Sequence, residues 1–521
     1  MSYEEYLNRM KQMIDDLKAL TADLGYGNAP EEYKIITELF TYKFLNDKLV
    51  YDFDHRENKD ETWDKFVRFA NRDTPKMKKE HLLDSLFQNQ NKNDFHKTFD
   101  NALLEVNELN ADIYNIKTTT GAKKPLFEPL SAYIRDEGKE LELAKRAINI
   151  LAGHEFKNIY DGGFDYFSTV FEYLLKDFNN DSGSVYAEYF TPLFAGEIMA
   201  DILVNDEEVR NVTVYDPAAG SGTLLLALAN KIGVSNCSIY SQDRSQKSTQ
   251  FLRINLILNR LAHSLHNVVE GNTLTNPEHK EDENNVMKFD YVVSNPPFKL
   301  DFSSFVNTLK EDPFGRFFAG LPNIPNKDKK GMAIYETFIQ HIVSSLSDRG
   351  KAAIVVPTGF VSTATGIPLK IRKQLIDSNW LKGVIHMPSN IFATTGTSVS
   401  IVFIDKTKSD DMIFLMDASN LGEKKKLDEG QRTILSTEDI TKIKSYFKQR
   451  IEEVEFSVLV NNEDVKENNY SIQAGNYVEL KDEVLDNDID IKLNDLSKKI
   501  ISLLENSIEE ADTIISLLKE V

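Results

Sequence analysis

From residue 184 onward, short β-branched runs alternate with helical stretches, and no other feature restricts the fold as much. "NVTVYD" (211–216), "CSIYSQD" (237–243), "HNVVEGN" (266–272), "FDYVVSN" (289–295), "KAAIVVP" (351–357) and "LKGVIHMP" (381–388) read as strands. "GTLLLALANKI", "QKSTQFLRINLILNRL", "MAIYETFIQHIVSSL" and "PLKIRKQLI" read as helices between them. The strands are nearly continuous apolar runs rather than alternating ones, as expected of strands buried on both faces. An α/β class follows: a doubly wound, mostly parallel sheet with helices on both sides. "SVSIVFIDK" and "MIFLMDA" follow each other closely and suggest a closing antiparallel pair.

The flanks have another texture. "EEYLNRMKQMIDDLKALTADL" sets Leu7, Met10, Ile14, Leu17 and Leu20 at helical spacing, and "EEYKIITELFTYKFLNDKL" and "RDEGKELELAKRAINILAG" repeat the pattern. Past 430 the chain is charged and helical. Its last segment spaces Leu493, Leu496, Ile500, Leu504, Ile508, Ala511, Ile515 and Leu518 by threes and fours, a seam of coiled-coil type suited to this chain's own helices or to a partner subunit. The 521 residues divide into a helical region 1–170, a catalytic domain 171–425 and a helical region 426–521 for assembly.

Nothing approaches the length of a membrane helix, the N-terminal stretch is polar and acidic, and the lone Cys237 excludes an internal disulfide, so the expected location is the cytoplasm. The formal net charge of −21 argues against strong nucleic-acid binding by the isolated chain. No histidines fall at metal-ligand spacing, and none is expected to hold a metal.

Three strand ends carry chemistry. "VYDPAAGSGTLLLAL" ends a strand at Asp216, turns on Gly220 and Gly222, and enters a helix near Thr223. Glycines there admit a ligand to the backbone, and the helix N-terminus favours an anionic group. The turn is neither G-x-G-x-x-G nor a P-loop, so a small ligand with one carboxylate suits it better than a pyrophosphate. "IYSQD" ends at Asp243, placed to accept ribose hydroxyls or to cap the helix that follows. "DYVVSNPPFK" delivers Asn295 to the same crevice. Pro296 and Pro297 remove N–H donors, so a side-chain amide and a carbonyl remain as acceptors for an amino group, and Phe298 supplies a flat face. The long irregular stretch 299–330 directly after it reads as a loop over an active site.

D-P-A-x-G-S-G, an acidic residue at the next strand end and N-P-P-F together resemble the S-adenosylmethionine (SAM)-dependent amino-methyltransferases, and N-P-P-F resembles the N6-adenine DNA methyltransferases. "AEYFTP" (187–192), the helical N-terminal region, "KGVIHMPSNIFATTGTSVSIVFI" and the helical tail make the layout similar to the methylation subunit of type I restriction–modification systems. The resemblance implies that Glu188, Tyr189, Phe190, Thr191 and Pro192 line the cofactor pocket. It implies that Asp216, Ala218, Gly220, Ser221, Gly222 and Thr223 hold the methionine end and Asp243 the ribose. Asn272, in "GNTL" where the family commonly has Asp, would meet the cofactor's adenine. Asn295, Pro296, Pro297 and Phe298 would grip a flipped-out target adenine in double-stranded DNA. It further implies a specificity subunit that reads the sequence, a second copy of the chain and, for cleavage, a restriction subunit. The motifs leave open RNA adenine or a protein glutamine amide as substrate, and a non-catalytic scaffold. A nicotinamide oxidoreductase lacks its glycine fingerprint.

Overall fold

A computed structural model describes residues 3–27, 29, 31–70, 74–136, 138–154, 156, 160, 191–392, 398–427, 430–478 and 496–501. Its strands, in chain order, are β1 (Ile116–Thr118), β2 (Lys123–Lys124), β3 (Val212–Asp216), β4 (Cys237–Asp243), β5 (Val268–Glu270), β6 (Phe289–Ser294), β7 (Leu346–Pro357), β8 (Leu381–His386), β9 (Val399–Asp405), β10 (Met412–Asp417), β11 (Glu423–Leu427), β12 (Gly430–Ile434) and β13 (Ser457–Asn461). All but β11 and β12, which form a ribbon of their own, join one sheet in the order β13-β10-β8-β9-β7-β6-β3-β4-β5-β1-β2.

Successive residues of β3 go to opposite faces, as pleating requires. Val214 joins the core beneath the helices Leu193–Val204, Thr223–Ile232 and Gln246–Leu258. Tyr215 joins the core of the other face, with Ile339, Ile342, Ile371 and Leu375 of the helices Tyr335–Ser345 and Gly366–Asp377. Both faces are covered, which explains why each strand reads as a continuous apolar run. Strands β5, β4, β3, β6 and β7 are mutually parallel. The chain steps outward from β3 to β4 to β5, then returns to lay β6 on the other side of β3. A ligand crevice opens at such a reversal, beyond the C-terminal strand ends.

The expected closing pair is corrected by the register. β9 runs antiparallel between β7 and β8, whereas β10 lies parallel to β8 on its far side. Gly383 explains the placement. A side chain there would meet the Phe414 carbonyl and the Phe447 ring, so only glycine lets β10 and the helix Thr437–Gln449 close on β8. The antiparallel partner of β10 is β13 instead.

The flanking regions are not purely helical. The N-terminal region folds around the helices Tyr3–Asp23, Glu32–Asp54, Phe95–Leu109 and Lys139–Gly153, and buries Met10, Ile14, Leu17 and Leu20 as their spacing predicts. It also extends the sheet, because β1 pairs parallel with β5. Past 425 a helix, Thr437–Gln449, is present in keeping with the expected helical texture, begun by a capping box at Ser436 and Asp439. The ribbon and β13 lie beside it, so the expectation of a helical C-terminal region fails there. Of the terminal seam only 496–501 is described. It is helical and leaves Leu496, Ile500 and Ile501 exposed; the rest of the seam lies outside the described residues. Among the described residues no helix is long and apolar enough to cross a membrane. Cys237 is buried in β4 as a small apolar group, and burial pushes its thiol up to about 12.

Candidate active site

The reversal beside β3 opens on a cavity of about 490 Å³. Three strands end on its floor with the residues read from the sequence. Asp216 closes β3, Asp243 closes β4, and Asn295 follows β6 by one position. Asn272, two residues past β5, also lines it, as do Thr191, Ala218, Gly220, Ser221, Thr223 and Pro297.

The glycine turn is built backbone-first. Gly220 has φ 53° and Gly222 φ 87°, left-handed values that a residue with Cβ adopts only with strain. Gly222 does not line the cavity. A Cβ there would come 2.2 Å from Leu252 Cδ1, so this glycine lets the helix Gln246–Leu258 pack against the turn. The Gly220 N–H donates to Asp243 Oδ2 (2.9 Å) and the Ser245 N–H to Oδ1 (2.7 Å). Asp243 therefore ties the turn to the end of β4. The cap of the following helix is Ser245, which accepts from Ser248 N, so the capping alternative for Asp243 does not hold.

Asp216 is buried. Its Oδ1 accepts from Ala218 N (2.9 Å) and from Ser294 Oγ (2.8 Å), and among the described residues Oδ2 has no partner. Burial pushes its carboxyl up to about 7, and Asp243 is raised for the same reason. Two desolvated carboxylates, with no buried cation opposite them among the described residues, call for a ligand that brings positive charge and hydroxyls. A helix N-terminus beside them, at Thr223, suits a carboxylate. An α-amino acid joined to a ribonucleoside meets all three demands, so the residues present fit SAM.

On the target side, Asn295 Nδ2 donates to Thr191 Oγ1 (3.0 Å). This fixes the amide and leaves Oδ1 as its acceptor. Pro296 is buried behind it. Phe298, expected as a flat face in the pocket, is only half-buried and does not line the cavity. It sets its ring edge-on to Tyr335, with centroids 6.5 Å apart. Pro192 starts the helix Leu193–Val204 and lies outside the lining. Glu188, Tyr189 and Phe190 fall outside the described residues.

Asn272 Oδ1 accepts from Leu274 N (3.0 Å), which bends the loop after β5 into the cavity wall. The loop is held from two sides. Thr273 Oγ1 donates to Pro217 O (2.6 Å), and the buried Arg316 guanidinium donates to Thr273 O (3.1 Å) and Leu274 O (2.6 Å). Arg316 sits in the irregular stretch after N-P-P-F, which does fold over the site: its Leu300 and Phe305, with Ile334 and Phe338 from the start of the helix Tyr335–Ser345, complete the wall. Sequence reasoning named that stretch but none of those residues. It also missed Arg244–Lys247, which follow Asp243 directly, and Tyr33, for which no local pattern gave a signal.

Residues 163–486 match the family model described as N-6 DNA methylase. The chain belongs to the N-6 DNA methylase family, and its reaction is methyl transfer to adenine in DNA. It is 29% identical over 395 residues to the type I restriction enzyme MpnII methylase subunit of Mycoplasma pneumoniae, covering 72% of this chain and 70% of that one. With the MjaIX methylase subunit of Methanocaldococcus jannaschii it shares 27% identity, over 74% of this chain and 66% of the relative. Its fold is shared with the type I methyltransferase subunit of Streptococcus thermophilus. That likeness has a TM-score of 0.68 at 19% identity and covers 92% of this chain and all of the other.

Proposed function

We propose that the chain transfers the methyl group of SAM to N6 of an adenine extruded from duplex DNA, as the modification subunit of a type I restriction–modification complex. The observation that carries this reading is that Asn295, its amide fixed by the hydrogen bond to Thr191, lines the same cavity as Asp216 and Asp243. Asn295 Oδ1 and the Pro296 carbonyl each accept one N–H of the target amine. The amine nitrogen is a poor nucleophile because its lone pair is delocalised into the purine. Two acceptors draw it toward tetrahedral geometry and turn the lone pair to the methyl donor. Asp216 accepts from the amino-acid ammonium, and Asp243 accepts from the ribose. SAM supplies the electrophilic methyl. The chain's contribution is positioning and fixed dipoles; no base is needed ahead of attack, and the proton that N6 sheds afterwards leaves to water from its hydrogen bond with Asn295 Oδ1 or the Pro296 carbonyl.

We assign DNA and partner contacts to 1–170, catalysis to 171–425 and assembly to 426–521. The net charge of −21 favours a specificity subunit as the source of target recognition, as the type I names of the relatives suggest. Leu496, Ile500 and Ile501, exposed on one helix, suit a contact with that subunit or with a second copy; a restriction subunit would join for cleavage. The test is transfer of labelled methyl to DNA by the assembled complex. Asn295→Ala should lower turnover by about 10³ while the Kd for SAM, read by calorimetry, stays within about twofold. Equal loss of both would overturn the role given to Asn295.

A further inference from the structure

We infer that the cofactor cavity is completed by the N-terminal region, with Tyr33 forming the wall over the nucleoside end. This rests on the reading of the cavity as a SAM site. Tyr33 lies in the first turn of the helix Glu32–Asp54, more than 150 positions ahead of the first cavity residue the motifs name, and it lines the same cavity. It stands over the segment that follows Asp243. Lys247 Nζ is 5.1 Å from the centre of its ring, and the Phe251 ring lies 6.2 Å away at 41°.

The tyrosine is held there by a junction built away from the cavity. Gln250 Nε2 donates to Thr37 Oγ1 (3.3 Å), one turn along the Tyr33 helix. The buried Arg253 donates to the carbonyls of Pro125 (3.0 Å) and Tyr114 (2.8 Å). Lys124 pairs with Glu270 (3.0 Å) at the end of β5, where β1 adds to the sheet. All of these contacts fall on the unit from β4 to β5, whose start holds Asp243. The N-terminal region is thus docked on the part of the catalytic sheet that receives the nucleoside.

The chemistry suits a purine. The strand ends offer this part of the cavity the Asp243 carboxylate and the Asn272 amide, both polar. A nucleobase also presents a flat apolar face that polar groups cannot cover. An aromatic ring pinned by a cation on one side and by a second ring is a rigid surface for it, and ring–ring contacts add stabilisation beyond buried area. Tyr33 is the aromatic side chain of the N-terminal region that lines the cavity among the described residues.

The test uses the full-length chain and SAM itself. Tyr33→Ala should raise the Kd for SAM about tenfold by calorimetry and Tyr33→Phe should leave it within about twofold, both read at a temperature where each cofactor-free variant is fully folded. Tyr33→Trp, against the background of the two natural tryptophans Trp63 and Trp380, should lose indole fluorescence when SAM is added. Wild-type affinity in Tyr33→Ala, or fluorescence of the Tyr33→Trp variant that ignores SAM, overturns the proposal while leaving the cofactor reading intact. A wild-type chain that does not bind SAM at all overturns both.

Discussion

The cavity has two walls made by different means. The wall of strand ends is set by the sheet: Asp216, Asp243 and Asn295 each stand where a strand ends, and neighbouring elements hold them, Ser294 for Asp216, Gly220 for Asp243 and Thr191 for Asn295. The opposite wall is borrowed. Leu300 and Phe305 come from the stretch after N-P-P-F, Ile334 from the start of the helix that follows it, and Tyr33 from a region far off in the chain. Buried guanidinium groups hold both borrowed pieces, Arg316 for the first and Arg253 for the second. Arginine suits such a task because its fork of donors satisfies several backbone carbonyls at once. The comparison teaches that the chemistry of this site is placed by the ends of the sheet's strands, whereas its enclosure is supplied by elements outside the sheet.

If that division is right, damage to the first wall should alter affinity or rate without altering the fold. Asp216→Asn should weaken SAM binding about a hundredfold at pH 8, with the melting temperature kept. It should also flatten a pH dependence. The Asp216 carboxyl titrates near 7 when folded and near 4 when unfolded. As pH falls through 7 the folded protein takes up a proton first, so the cofactor-free protein gains stability from this group down to about pH 4. SAM affinity needs the carboxylate and should fall over the same window, by up to about tenfold per pH unit. Calorimetry from pH 6 to 8 checks both, and an Asp216→Asn enzyme with the wild-type slope would move the effect elsewhere.

The second wall should fail by loosening. Arg316→Met leaves Asp312 buried without its partner, a cost of about 3–5 kcal/mol. The expected signs are faster proteolysis within 299–330 and about tenfold weaker SAM binding through the loop at Thr273 and Leu274, since about 1.4 kcal/mol of that cost felt at the cofactor is one decade. Loss of affinity without proteolysis would erase the distinction between the walls. The finest test is Thr191→Val, which removes the acceptor for Asn295 Nδ2 but little volume. Turnover should fall about tenfold with SAM affinity kept, and Thr191→Ser should restore it. Equal effects of Val and Ser would mean that Thr191 acts by packing.

The same division explains how much was legible. The parallel sheet and the ends of β3, β4 and β6 could be read because a buried strand and a glycine turn leave local patterns. The place of β10 could not, since it depends on Gly383 being small enough for Phe447 to reach the sheet from another element. The setting of Phe298 could not be read either, since its ring neighbour Tyr335 is remote in sequence. Tyr33 carries no pattern at all, because an aromatic on a helix face reads as core wherever it occurs.

One feature of the sheet reaches beyond the site. Its outermost strands at one side, β1 and β2, belong to the N-terminal region, whereas the match to the methylase family begins only at residue 163. A fragment trimmed to the matched span would present β5 with an open row of backbone donors and acceptors, the kind of edge on which chains stick to one another. What sequence comparison marks off as the enzyme is therefore not a unit that could be cut out and remain well behaved.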